Sequence, residues 1–309
     1  MTESFRHEAL FYTGTDDFVA RTGPFIRDGV HADEPVLVVV GAPKIDMLRS
    51  DLGPDADDVY FEDMAGVGQN PARIIPAWRE FVDRHAGLGR RLRGIGEPIW
   101  AGRSAAELTE CARHEALLNL AFADGAALWL ACPYDTATLE LSVLDEARRN
   151  HPFEWDRAGR RPSSTARELA EIARPFDEPL PDPVVTPYGL RFGEADLHDL
   201  RAFIHRRAAA AGLDGSRRSD LVLAANEIAT NSVRYGGGGG TLTVWEQADA
   251  LYCEIQDRGR IDDPLAGRHR PGSESVSGYG IWIANQVCDL VQVRSFETGT
   301  VVRLQMRYR

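Results

Sequence analysis

The chain has 309 residues, 43% of them apolar and 27% charged, and a net charge of −12. That length and apolar fraction suffice for two domains with separate cores. There are 20 basic and 29 acidic residues up to Phe176, and 15 and 18 beyond it; with no basic tract or recognition-helix pattern, this argues against direct nucleic-acid binding and leaves a basic protein surface as a partner. The opening, MTESFRHEALFY, carries charges where a signal peptide is apolar. The longest apolar runs, Val36–Val40 and Ala126–Cys132, are too short to span a bilayer, so no membrane contact is expected. Cys111, Cys132, Cys253 and Cys288 are scattered without a Cys-x-x-Cys, as expected of buried reduced thiols in a cytoplasmic protein.

Strands and helices alternate through residues 1–153. Asp16–Val30 reads as a helix interrupted at Gly23-Pro24. Val36–Val40 is a continuous β-branched run, the mark of a strand covered on both faces. Val59–Phe61, Leu92–Gly96 and Ala126–Cys132 are further strands. Asn70-Pro71 starts a helix that runs to about His85, Ser104 and Glu107 form a capping box for a helix through Leu120, and Thr138–Asn150 is another helix. The alternation predicts a mostly parallel sheet with helices on both faces. Gly41-Ala42-Pro43-Lys44 follows the Val36–Val40 strand and holds the only lysine. It lacks the Gly-Lys-Ser/Thr ending of a phosphate loop, so that reading is set aside.

His7-Glu8-Ala9-Leu10-Phe11-Tyr12, His114-Glu115-Ala116-Leu117-Leu118-Asn119, Cys132-Pro133-Tyr134-Asp135 and His151-Pro152 together resemble the MEDS sensory domain of bacterial regulators. The resemblance covers roughly the first 150 residues. It implies a RecA/KaiC-like parallel-sheet fold and a sensor role for an unnamed small-molecule or protein signal. His7, His114, Cys132 and His151 could in principle gather around a metal. Their separations follow no local ligand spacing, however, and structural histidines and buried thiols are the commoner fate.

Beyond Arg157 the chain is charged, with a helix expected over Thr165–Ala173. Pro175, Pro179, Pro181, Pro183 and Pro187 then break regular structure and read as a stiff linker. The expected division is 1–174, a linker at 175–187, and 188–309. The second part opens with a strand near Leu190–Phe192 and a helix with Leu197, Leu200 and Ile204 on one face. His205 on that helix lacks the surroundings of a phosphoacceptor and reads as solvated.

In Leu221–Asn231 the apolar residues Leu221, Ala224, Ala225, Ile228 and Ala229 fall at helical spacing. Glu227 and Asn231, four apart, share one side of that helix. A carboxylate and a carboxamide so placed suit a hydrated magnesium ion on phosphates and a proton acceptor beside it. Gly236–Gly240 ends the helix. Thr241–Gln247 and Leu251–Gln256 pair antiparallel, and the second runs into Asp257-Arg258-Gly259, where a carboxylate past a strand end can accept from an adenine amine. Arg260–Ser277 is a long aperiodic loop of the kind that is usually functional. Gly278-Tyr279-Gly280 opens a helix whose N-terminus suits phosphate. Val291–Phe296 and Val301–Tyr308 pair around Glu297-Thr298-Gly299, and Gly299-Thr300 leads into the last strand.

The order Glu-x-x-x-Asn, Asp-x-Gly, Gly-x-Gly, Gly-Thr resembles the GHKL (Bergerat) ATPases, a group of histidine kinases, gyrase, Hsp90 and anti-sigma serine kinases. It looks most like the anti-sigma regulatory factors of the RsbW/RsbA type, over about the last 120 residues. The resemblance implies a two-layer α/β sandwich with ATP and magnesium. Glu227 would match the general base, Asn231 the magnesium ligand and Asp257 the adenine-reading acid. Gly259, Gly278 and Gly280, with Tyr279 between the last two, would match the residues shaping the pocket, Thr300 a second adenine contact, and Arg260–Ser277 the ATP lid. Ile261 stands where many members have a further glycine. By resemblance the chain would bind an alternative sigma factor and phosphorylate a serine or threonine of an anti-anti-sigma (STAS-type) partner. A non-catalytic ATP-binding module and an atypical histidine-kinase-like protein stay open as alternatives, and a homodimer is left open.

Overall fold

The computed structural model describes residues 5–87, 89–172, 178–271 and 278–308. Residues 173–177, at the start of the expected linker, and 272–277, in the expected lid, lie outside the described residues. The chain divides into two compact units, Met1–Ile172 and Ala173–Arg309.

The first unit is built on a seven-stranded sheet. Its strands are β1 (Arg6–Tyr12), β2 (Val36–Val40), β3 (Val59–Asp63), β4 (Leu92–Gly96), β5 (Leu128–Asp135), β6 (Phe153–Asp156) and β7 (Gly159–Pro162). They lie in the order β3-β2-β4-β5-β1-β6-β7, parallel throughout except for the β6–β7 hairpin. The helices are α1 (Gly14–His31), α2 (Ala42–Leu52), α3 (Met64–Val67), α4 (Ile74–Arg84), α5 (Ala105–Ala121) and α6 (Leu141–Asn150). All five residues of β2 are buried, as a central parallel strand requires. Val36, Val38 and Val40 face a core with Phe18, Phe25 and Ile26 of α1 and with Leu48 and Leu52 of α2. On the opposite face Trp78 of α4 lies across Gly94 and Gly96 of β4, where a Cβ would come within 2.7 and 2.9 Å of its ring. Each fully buried side chain of this size contributes roughly 1.5–3 kcal/mol.

Two expectations are corrected here. α1 is continuous through Gly23-Pro24: Pro24 sits on the exposed side, while the neighbouring Phe25 and Ile26 are buried and hold the helix to the sheet. Of the helix expected over Thr165–Ala173, the described part is a single 3-10 turn, Leu169–Glu171. Arg167 instead ties this segment back to α6 by donating to Glu146 and Asn150. Lys44 lies in the first turn of α2 and donates to Glu97 at the end of β4 and to Tyr12, so its ammonium is committed within the protein.

Among its described residues the second unit has five strands, β8 (Tyr188–Gly193), β9 (Gly239–Gln247), β10 (Ala250–Asp257), β11 (Leu290–Phe296) and β12 (Gly299–Arg307). Their order is β11-β12-β10-β9-β8, antiparallel at every pairing. Three helices, α7 (Leu197–Ala210), α8 (Gly215–Tyr235) and α9 (Tyr279–Val287), cover one face. Alternate residues Leu251, Cys253, Ile255 and Val302, Leu304, Met306 meet Leu221, Ala225 and Ile228 of α8, which makes a two-layer α/β sandwich. α8 is capped by Asp214, whose carboxylate accepts from the N–H groups of Ser216 and Arg217. The Pro181 carbonyl accepts from Arg303 of β12.

Candidate functional site

The register of β10 and β12 sets one end of the site, because it places Asp257 directly opposite Thr300. The Asp257 carboxylate is oriented from two sides. Oδ2 accepts from the Ser232 hydroxyl of α8 at 2.5 Å, and Oδ1 accepts from the Gly259 N–H at 2.7 Å. The Thr300 hydroxyl donates to the Gly259 carbonyl at 2.9 Å. Both polar groups of Gly259's backbone are thus held by the two polar residues at this end. Such pre-orientation removes the rotamer entropy that a ligand would otherwise have to freeze.

Close backbone contact does the rest of the shaping. A Cβ at Gly236 would stand 2.5 Å from Asp257 Cγ, and one at Gly259 would stand 2.8 Å from the Tyr235 carbonyl. The end of α8 and the turn after β10 therefore meet at a distance no larger residue permits. Ile261, in place of a further glycine, donates its N–H to the Ser295 hydroxyl at 2.8 Å, which anchors the start of the loop.

The other end is formed by α8 and α9. Asn231 and Gly280 touch: a Cβ at Gly280 would lie 2.5 Å from Asn231 Nδ2. Gly278 caps α9 in the left-handed region (φ 97°) and supplies no side chain, so no side-chain oxygen competes for the N–H groups of the first turn. Tyr279 is exposed, and its hydroxyl donates to the Pro271 carbonyl. Glu227 lies one turn before Asn231 on α8 and is partly exposed. Among the described residues its carboxylate has no hydrogen-bond or ion-pair partner.

Between these ends are two adjoining cavities. One, of about 270 Å³, is lined by Asp257, Gly259, Thr300, Ile228 and Asn231. The other, of about 250 Å³, is lined by Asn231, Gly267, His269 and Gly278. They share Asn231, Asp263, Gly278 and Ile281. Of the eight residues expected from the sequence, the structure brings Asn231, Asp257, Gly259, Gly278 and Thr300 to the cavity walls, packs Gly280 on Asn231, and leaves Glu227 and Tyr279 out of both linings. Sequence reasoning missed Ser232, Gly236 and Ser295. No local signal marks Ser232: the bond of its hydroxyl to Asp257, 25 positions away, is what assigns it.

The donor set accommodates ATP with magnesium. A polar acceptor backed by apolar Ile228 and Val302 suits a base. The Asp263 carboxylate, which lines both cavities, would repel a polyphosphate unless a divalent cation stood between them, and Asn231 offers that cation a neutral oxygen.

Residues 192–306 match the family model described as a histidine kinase-like ATPase domain. Residues 6–152 match the one described as MEDS, the methanogen/methylotroph, DcmR sensory domain. The chain is a MEDS domain followed by a histidine kinase-like ATPase domain of the GHKL fold. No curated protein matches it. Similar solved structures include the RsbU and RsbW domains of Rv1364c from Mycobacterium tuberculosis, at 19% identity over 40% of this chain and TM-score 0.31; the match spans 32% of that chain. The histidine kinase AdeS of Acinetobacter baumannii is 11% identical over 40% of this chain and 70% of its own, at TM-score 0.24. A further solved ATPase domain is 14% identical over 50% of this chain and 69% of its own, at TM-score 0.32. Among the described residues no helix is long and apolar enough to cross a membrane.

Proposed function

We propose that this protein is an anti-sigma regulatory factor of the RsbW type. It binds an alternative sigma factor and, with ATP and magnesium, phosphorylates a serine or threonine of an anti-anti-sigma partner under control of the MEDS domain. Asp257 and Thr300 hold the adenine, Asn231 holds magnesium, and Gly278 and Gly280 let the α9 N-terminus approach the phosphates. Magnesium neutralises the charge on the transferring phosphoryl group. Glu227 accepts the proton of the attacking hydroxyl, and its partial exposure leaves room for a protein substrate.

The observation that carries this reading is the unpartnered Glu227 carboxylate one turn from Asn231. A histidine-kinase-like reading is disfavoured by α7: its Leu200, Ile204 and Ala208 are buried in the ATPase core. His205 therefore sits on a helix of the ATPase domain, with no separate dimerisation pair among the described residues to present it. The test is transfer of labelled phosphate from ATP to STAS-type partners captured with the protein from its native cell. Label on a serine or threonine supports the kinase. ATP binding without any transfer replaces it with a binding module that uses nucleotide only as a conformational ligand, and acid-labile label on the chain itself returns the histidine-kinase reading.

A further inference from the structure

We propose that His7, Glu115, Cys132 and His151 form a buried site for one borderline-soft divalent transition-metal ion, with zinc as the type. The four residues come from β1, α5, β5 and the turn between α6 and β6, and every one is buried. Their ligand atoms all lie within 4.8 Å of one another. His7 Nε2 stands 3.1 Å from Glu115 Oε2 and 3.3 Å from Cys132 Sγ, and His151 Nε2 stands 3.2 Å from Glu115 Oε2. Ligands about 2.0–2.3 Å from a tetrahedral centre are roughly 3.3–3.8 Å apart, so small shifts suffice to seat an ion. Of the set weighed from the sequence, His114 is replaced by its neighbour Glu115.

The hydrogen bonds around the cluster fix which atoms face its centre. His151 Nδ1 is 2.7 Å from the Ala147 carbonyl, which can only accept, so Nδ1 carries a proton. His7 Nδ1 is 3.1 Å from Asn119 Oδ1. The Asn119 amide is itself fixed, because its NH₂ donates to the Asn150 carbonyl at 2.7 Å. His7 Nδ1 is therefore a donor too. With Nδ1 engaged in this way, each ring presents Nε2 to the Glu115 carboxylate. This is the arrangement that orients histidine ligands in metal sites, with the second nitrogen held by a carbonyl. Two Nε2 atoms, a thiol and a carboxylate thus converge in a buried space, where only shared protons or a cation can hold them together. His151 Nε2 and Glu115 Oε1 have no hydrogen-bond partner there, and leaving buried polar atoms unmet is costly.

Charge fits as well. A divalent ion with one carboxylate and one thiolate, the Cys132 proton being released to solvent on binding, gives a site of zero net charge with two neutral imidazoles. Two nitrogens, a sulfur and an oxygen select zinc, cobalt or ferrous iron over magnesium or calcium. All four ligands come from the protein, which is the closed form of such sites.

The experiment uses the full chain, stripped with chelator in nucleotide-free buffer and titrated with Co²⁺. The expected result is one ion per chain, with the visible bands of a four-coordinate centre and a thiolate-to-cobalt charge-transfer band, both lost on adding Zn²⁺. Cys132→Ser should abolish the charge-transfer band, and Cys253→Ala, in the other unit, should keep it. Zn²⁺ should also raise the melting temperature of the stripped protein. No stoichiometric Co²⁺ binding by the stripped, refolded wild type would overturn the proposal, as would binding without the thiolate band. The wild-type spectrum decides even where Cys132→Ser does not fold.

Discussion

The two units place their candidate functional groups differently. The MEDS unit encloses titratable groups in its interior: His7, Glu8, Glu97, Glu115 and His151 are all buried among strands and helices. The ATPase unit keeps its sandwich core apolar and places Asn231, in the last turns of α8, and Asp257, at the end of β10, in the wall of a cavity, with Glu227 one turn before Asn231. A polar group on the faces of a parallel sheet covered on both sides lies inside, where it needs a partner. A sheet covered on one side can put it at the edge, where groups stay open to a ligand. The interior of the first unit suits holding something permanently, and the edge of the second suits exchanging it.

The sharpest way to break that contrast is at the edge. Glu227→Gln retains shape and removes the base. Phosphate transfer to the partner should fall about 10²–10⁴-fold while ATP affinity, read by calorimetry, stays within about twofold. An equal loss of ATP affinity would mean that Glu227 is part of the nucleotide pocket. Asp257→Asn can keep the Gly259 bond on its remaining oxygen, so the fold should survive, and ATP should bind about 1–3 kcal/mol more weakly. Unchanged affinity would remove Asp257 from adenine recognition. In the first unit, Gly94→Ala puts a methyl 2.7 Å from the Trp78 ring. Overpacking there should cost about 1–3 kcal/mol in urea unfolding followed by tryptophan fluorescence, with ATP affinity unchanged.

The smallest expected effect is electrostatic. Burial pushes the Glu146 carboxyl up, but hydrogen bonds from Arg167 and Arg149 outweigh it and hold the group below the ordinary range. A depressed folded-state pKa contributes stability above the unfolded value and loses it as pH falls through the folded value. Thermal melts of Glu146→Gln should therefore lie slightly below wild type above roughly pH 5, and the two should converge in acid below about pH 4. A gap that persists at low pH would mean the effect is packing.

Where local chemistry decides structure, the sequence was readable. Val36–Val40 and Leu92–Gly96 are strands at the expected limits, and the Ser104–Glu107 capping box is present with both its bonds. β1 was not read as a strand, because His7 and Glu8 break the apolar pattern. Their burial rests on partners far along the chain, Asn119 for one and Arg160 for the other. The β6–β7 hairpin was missed for the same reason: the exposed β7 reads as Gly-Arg-Arg-Pro and pairs through Arg161 with Glu154 and Asp156. In the site, the motif residues were legible by order. Ser232 and Gly236 were not, since what assigns them is contact with Asp257 across 25 and 21 positions.

Trp78 and the two glycines beneath it carry an evolutionary consequence. Gly94 and Gly96 lie two apart on β4, so they open one face of the strand, and the indole occupies the volume that two side chains would otherwise fill. Exchange of either glycine is costly while the tryptophan stands, and a smaller residue at 78 leaves a void over bare backbone. The three positions should therefore be inherited as a block. In related chains, a side chain at 94 or 96 should be found only where position 78 has already become small.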